Sequence, residues 1–368
     1  MLIKKILILV VVTIISLKIS DIVFNKFFNP VVQIFGDNGI QRSLILKEYN
    51  PNKKSILVPP DHLISKSNLL IKKQYKLNID DNGFIKNGNN LGESNNNKSI
   101  IFFGGSTTET LYVSETNRFV SVVERKLSKK LDRNIVLYNG GVSGNNTLHS
   151  LLNLIGKGIP LNPEYVVLMH NGTDLSLLRK SGSYWSAPVS RSIINISQNS
   201  SDGKNIYYLI AREIKNFLAP NIWSFLRMKI KKKNGLQDDF KSIRDETADF
   251  ENVKKMFRSA LISFVNVSKA WGIKPVLMTE FSRIKFNDEY FIKNYPYQDR
   301  DEYIEQYHQL NNIIREVAKK EKVLIIDLAR QIPSSDEFIY DVIHLNENGS
   351  LLAADIISEF FEKILSDN

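Results

Sequence analysis

Residues 99–109 read SIIFFGGSTTE, an apolar run broken by two glycines and a serine. Ile100–Phe103 is a short apolar run of the kind that makes a fully buried strand. It stops at Gly104-Gly105. Ser106 follows, and Thr107-Thr108-Glu109 resembles the start of a helix, with Glu109 in the first turn where a carboxylate favours the helix dipole. A serine on a tight strand-to-helix turn stands at the carboxyl edge of a parallel sheet. It also stands at a helix N-terminus, whose free N–H groups can hold an oxyanion. Ser106 is therefore a candidate nucleophile.

Downstream, strands and helices alternate. Strands are expected at Ile135–Tyr138, Tyr165–Met169, Pro275–Thr279 and Val323–Asp327. Helical spacing runs through Arg118–Leu131, Leu148–Ile155, Phe250–Trp271, Asp301–Lys320 and Glu347–Leu365. Such alternation predicts an α/β fold, a five-stranded parallel sheet with helices on both faces. Ligands of such sheets bind beyond the carboxyl ends of the strands. The unusual polar and glycine residues cluster there.

A serine hydroxyl needs a base, and the base needs a carboxylate to orient it. Of the five histidines, His344 has the useful neighbour: Asp341 precedes it by three positions, an offset that puts both side chains on one side of a turn. An acyl-transfer site also needs oxyanion donors. The Ser106 N–H is one candidate. A second N–H is expected from the loop Gly140–Asn146, and a side-chain amide after strand three, at Asn171, is a third. His149 and His170 lie near the predicted site without an acid at a useful offset, so they are expected to line the pocket at most.

At these residues the chain resembles the SGNH/GDSL hydrolases. Gly104–Thr108 is similar to the block that carries the family's nucleophile, Val142–Asn145 to the second block, and Asp341–His344 to the DxxH block. The resemblance implies a three-layer α/β/α sandwich of flavodoxin type over about residues 99–366. It implies Gly144 as the oxyanion glycine, no cofactor and no metal, and an esterase, lipase, carbohydrate deacetylase or acyltransferase activity. The third block departs from the family's Gly-x-Asn-Asp: in His170–Leu175, Thr173 stands where the Asn is expected. Either Thr173 supplies a hydroxyl donor, or Asn171 reaches in from two residues earlier.

The rest of the chain frames this domain. The 368 residues suit one catalytic domain with an extension, and 43% apolar content suffices for its core. The net charge of +10 comes from scattered lysines, which fits a solvated surface and not a nucleic-acid groove. Without cysteine there is no disulfide, thiolate metal site or Cys nucleophile. A nucleotide-binding reading lacks the Gly-x-Gly-x-x-Gly turn after strand one.

Residues 1–24 open with Lys4 and Lys5 before the apolar run Ile6–Leu17. They are expected to form an uncleaved signal-anchor with the body outside the cytoplasm, or else a cleaved leader. Residues 25–98 read as an irregular stem or cap. Residues 175–245 read as an insertion. In it Tyr184-Trp185 offers a sugar-stacking platform or ordinary core aromatics, and Trp223–Lys233 a membrane-touching or solvated helix. The expected protein is thus a membrane-anchored serine ester hydrolase or O-acyltransferase acting on an acyl ester of an envelope glycan or lipid. The alternative is a catalytically weakened binding protein on the same fold.

Overall fold

A computed structural model describes residues 46–65, 67, 69–88, 98–132, 134–185, 248–296 and 298–366, with 12–13 and 15–16. The described elements run in the order β1 (Lys54–Leu57), α1 (Asp61–Ile64), β2 (Tyr75–Asn78), β3 (Lys98–Gly104), α2 (Ser106–Glu109), α3 (Phe119–Lys130), β4 (Ile135–Gly141), α4 (Thr147–Asn153), β5 (Tyr165–Met169), α5 (Gly172–Ser181), α6 (Phe250–Ala270), β6 (Lys274–Met278), α7 (Glu289–Asn294), α8 (Arg300–Glu321), β7 (Leu324–Ile326), α9 (Leu328–Gln331) and α10 (Glu347–Ser366).

Five strands form a sheet in the order β4-β3-β5-β6-β7, and every adjacent pair is parallel. Successive side chains of a strand point to opposite faces, and the strands use this to feed two cores. Ile101 and Phe103 of β3, with Val166 and Leu168 of β5, pack against α5, α6 and α8. Ile100 and Phe102, with Tyr165, Val167 and Met169, pack against α3 and α10. Helices thus cover both faces, which is why the strands read as continuous apolar runs. Phe102 is wholly buried and meets Phe119 and Phe361 edge-on, at ring centroids of 5.8 and 6.4 Å. Burying each such ring contributes about 1.5–3 kcal/mol.

The helices match their periodic stretches to within a few residues. Strand four is shifted by one residue, to Lys274–Met278. β3 and β4 run longer than expected: β3 spans Lys98–Gly104, and β4 continues to Gly141, where a glycine loop was expected after Tyr138. Asn139–Gly141 keeps pairing with β3, and Gly141 has a steric reason to be glycine. A Cβ there would lie 2.3 Å from the Glu109 backbone nitrogen.

Residues 46–88, expected to be an irregular stem, contain the antiparallel pair β1–β2. They also belong to the same compact unit as the sheet. Ile85 bridges Asn139 at the end of β4, and the buried Arg118 guanidinium donates to the Lys76 carbonyl at 2.6 Å. The first residues of the expected insertion are helix α5, largely buried against the sheet. Residues 186–247, with the Trp223–Lys233 stretch, lie outside the described residues, as does most of the expected anchor. Among the described residues, no helix is long and apolar enough to cross a membrane.

Candidate active site

The carboxyl ends of β3, β4, β5 and β6, together with the turn before α10, contribute to one site. After β3 the chain turns at Gly105 and begins α2 with Ser106. The single helical turn is held by Glu109 N–H donating to the Gly105 carbonyl at 3.0 Å and Thr110 N–H to the Ser106 carbonyl at 3.1 Å. Asp341 and His344 arrive on the turn before α10. Tyr340 N–H donates to the His344 carbonyl at 2.9 Å, and Ile339 bridges Leu345. The three-residue offset predicted that the pair would share one side of a turn, and that turn is what forms.

His344 Nε2 lies 2.8 Å from Ser106 Oγ, and His344 Nδ1 lies 2.6 Å from Asp341 Oδ2. The other carboxylate oxygen of Asp341 accepts the Ile343 and His344 N–H groups at 2.9 and 2.8 Å. The Tyr340 ring stacks on the imidazole, 5.6 Å between centroids and 14° from parallel. Burial alone would push the His344 pKa down. The Asp341 charge and hydrogen bond outweigh it, aided by the more distant Glu280 and Glu109 charges, so the imidazole is held above its ordinary 6.5. Burial works against the Asp341 carboxylate too, and His344 overcomes it, holding Asp341 below its ordinary value. This is an arrangement in which the imidazole can take a proton from Ser106 and remain stabilised as imidazolium.

The oxyanion candidates separate. Ser106 begins α2, so its N–H has no partner within the helix. Gly144 adopts φ +73°, a conformation that L side chains rarely take. Thr173 faces the nucleophile turn: a Cβ built on Gly105 would lie 3.6 Å from Thr173 Oγ1. Asn171 does not fill the role expected of it. It is wholly buried as the N-cap of α5, and its amide donates to the Tyr307 carbonyl of α8 at 2.9 Å.

Three other expectations are corrected. His149 and His170 do not line the cavity beside Ser106; both are buried, at 1% and 2% exposure. His170 does have an acid at a useful offset, four residues on. Its Nδ1 lies 3.7 Å from Asp174 Oδ2, and its Nε2 pairs with Ser150 Oγ at 2.7 Å. Burial and the neighbouring His149 push the His170 pKa down to about 3. The group is a second Ser-His-Asp array, sealed from solvent, with Tyr184 and the Thr147 N–H also donating to Asp174. Trp185 is half exposed, packs edge-on against Tyr184, and is not a wall of the cavity.

Two carboxylates at the site were not anticipated in their roles. Glu280 follows β6 and is 4% exposed. It accepts from Thr107 Oγ1 at 2.8 Å, Gly172 N–H at 2.7 Å and the Tyr307 hydroxyl at 3.2 Å. It thereby joins the nucleophile turn to α5 and α8. An acid directly after a buried strand at the catalytic edge was the signal that could have found it. Glu109 lies in the first and only turn of its helix, as expected, but its partners are side chains of other elements. It is fully buried and accepts hydroxyl hydrogen bonds from Tyr49 and Ser143.

A cavity of about 290 Å³ opens beside Ser106 and His344. Leu63, Leu111, Tyr112, Tyr340 and Leu345 supply most of its apolar wall. Among the described residues, no cluster of three or more His, Cys, Asp or Glu could hold a metal ion.

The model of the GDSL-like Lipase/Acylhydrolase family matches residues 102–352, and the chain belongs to that family. It is accordingly a hydrolase of ester bonds. Among solved structures it is similar to a lipase/acylhydrolase from Enterococcus faecalis, at 17% identity over 72% of this chain and 96% of that one, TM-score 0.43. It is similar to a GDSL-like lipase from Bacteroides thetaiotaomicron, at 15% identity over 73% and 89%, TM-score 0.38. An acetyl xylan esterase from Geobacillus stearothermophilus is similar at 14% identity over 71% and 92%, TM-score 0.41. No curated protein matches the sequence.

Proposed function

We propose that the chain cleaves a short acyl ester through Ser106, His344 and Asp341. The observation that carries this reading is the unbroken hydrogen-bonded line from Ser106 Oγ through His344 to Asp341. Ser106 attacks the acyl carbon while His344 Nε2 takes its proton. Asp341 keeps the imidazole in the tautomer that presents Nε2 as the acceptor. The Ser106 and Gly144 N–H groups and the Thr173 hydroxyl hold the oxyanion. His344 then returns the proton to the leaving alkoxide, and water releases the acyl group by the same relay in reverse. In an O-acyltransferase a sugar hydroxyl would take the place of that water.

The cavity of about 290 Å³ favours a small acyl group such as acetyl. Its source as an ester of an envelope glycan or lipid rests on the apolar run of residues 6–17 after Lys4 and Lys5, which would tether the catalytic unit outside the cytoplasm. The binding-protein alternative is disfavoured by the aligned triad, since a site without chemistry has no need of it.

The test is turnover of p-nitrophenyl acetate together with labelling by a fluorophosphonate probe. Both are expected in the wild type and absent in Ser106→Ala. A folded wild type that does neither overturns the reading.

A further inference from the structure

The family-matched region begins at residue 102, yet hydrogen bonds tie the site to residues well before it: Asn145 of the loop donates to the Lys47 carbonyl at 3.3 Å, and Tyr49 reaches Glu109. The Tyr49 hydroxyl donates to Glu109 Oε1, and the Ser143 hydroxyl donates to Glu109 Oε2. The Ser143 backbone N–H is directed at the same carboxylate. Glu109 therefore joins three separate stretches of chain. It ends the one-turn helix begun by Ser106, it holds the residue next to Gly144, and it anchors residue 49 of the segment preceding β1.

We propose that Glu109 is a positioning residue of the ester-cleaving site, clamping the Ser143-Gly144 oxyanion loop to the nucleophile helix and fixing Tyr49 as the outer brace of that clamp. The proposal rests on the reading of Ser106 and Gly144 given above. The clamp has a mechanical logic. Ser106 and Gly144 stand at the ends of two different strands, and their N–H groups must converge on one oxygen to within a fraction of an ångström. Gly141 lets β4 pass close to the Glu109 backbone, so the two strand ends already approach there. The carboxylate then holds the next turn of the loop. A Gln amide offers one oxygen and an NH2 donor, so it cannot accept both the Tyr49 and the Ser143 hydroxyl as the carboxylate does.

The surroundings add an electrostatic role. Glu109 is faced by Tyr49, Tyr112, Ser143, the Arg118 guanidinium and His344. His344 is faced by Asp341, Glu280 and Glu109, and by the stacked Tyr340. Burial raises the Glu109 pKa against the opposing hydrogen bonds of Ser143 and Tyr49 and the charge of His344. As a carboxylate it favours the imidazolium that forms when His344 takes the serine proton.

The experiment compares wild type, Glu109→Gln, Glu109→Asp and Tyr49→Phe by hydrogen–deuterium exchange of the 142–146 amides and by pH profiles of kcat and KM with p-nitrophenyl acetate. Glu109→Gln is expected to speed exchange in that loop, to lower kcat by about tenfold or more with KM within about twofold, and to move the acidic limb of kcat/KM to lower pH. Glu109→Asp should restore the position of the limb. Tyr49→Phe should speed loop exchange with a smaller loss of kcat. The exchange measurement does not depend on activity, so it judges the clamp even if the wild type fails to turn over the ester. Unchanged loop exchange in Glu109→Gln overturns the proposal, and so does a kcat loss that only tracks the loss of folded protein in thermal melts.

Discussion

His344 Nε2 and Ser106 Oγ meet at 2.8 Å although 238 positions separate the two residues. One stands at the first helical position after β3, the other on a turn just before the last helix. Their meeting depends on the parallel order β4-β3-β5-β6-β7, which brings every strand's carboxyl end to the same edge.

Because Asp341 orients the imidazole of that pair, Asp341→Asn should reduce kcat by about 10⁴ while leaving the fold intact, through loss of the productive tautomer. Burst kinetics with p-nitrophenyl acetate and a thermal melt check both halves. An Asn variant within tenfold of wild type would mean that His344 acts without an orienting carboxylate.

The pH dependence follows from His344. It must be neutral to accept the serine proton, and its folded pKa lies above the ordinary 6.5, held there against burial by Asp341. Activity should therefore rise with pH through a midpoint above 6.5, not below it. A kcat/KM profile measures this, and a midpoint on the acid side of 6.5 would contradict the electrostatics described.

Thr173 and Asn171 should behave oppositely. Thr173→Val removes the hydroxyl facing the nucleophile turn and should cut kcat by about 10²-fold, with little change in stability. Asn171→Ala removes the amide that donates to the Tyr307 carbonyl and should cost roughly 1–3 kcal/mol of stability while Ser106 still labels. Urea unfolding and probe-labelling rates on the two variants separate the roles. The reverse pattern would return the oxyanion donor to Asn171.

The sealed Asp174 gives a stability signature. Burial pushes its carboxyl from 3.8 up to about 7, against the hydrogen bonds of Tyr184 and Thr147. The folded state therefore holds a proton that the unfolded chain releases. The resulting stability is fully present below 3.8 and is lost as pH rises toward about 7. Asp174→Asn should flatten this decline relative to wild type, as read by urea midpoints across that range. Parallel curves for the two proteins would exclude the effect.

The strand-helix rhythm from residue 99 onward was legible in the sequence because buried parallel strands are apolar on both faces, and amphipathic helices carry their own period. Ser106 and the Asp341–His344 pair were legible for a local reason as well, since each needs a backbone turn or a short offset that leaves a sequence mark. Local reading gave only a glycine loop at 140–146, and Gly144 within it came from the resemblance of Val142–Asn145 to the family's second block. Glu109, Glu280 and Tyr49 left a weaker mark, since a buried acid and a surface acid are the same letter. Their roles arise only when β3, β4 and β6 end at the same edge of the sheet. His170 was misjudged at the local level: Asp174 stands four residues on, an offset that was passed over, and nothing local said that Ser150 would close the array or that the array would be sealed.

Local sequence sets which residues can do chemistry and at which strand ends they stand. Which of them meet is set by how the strands are ordered. Strand alternation settles the edge on which a side chain emerges, but the order of strands in the sheet settles its neighbours. That order turned Asn171 toward Tyr307, set Thr173 against Gly105, and closed the Glu109 carboxylate around Ser143 and Tyr49.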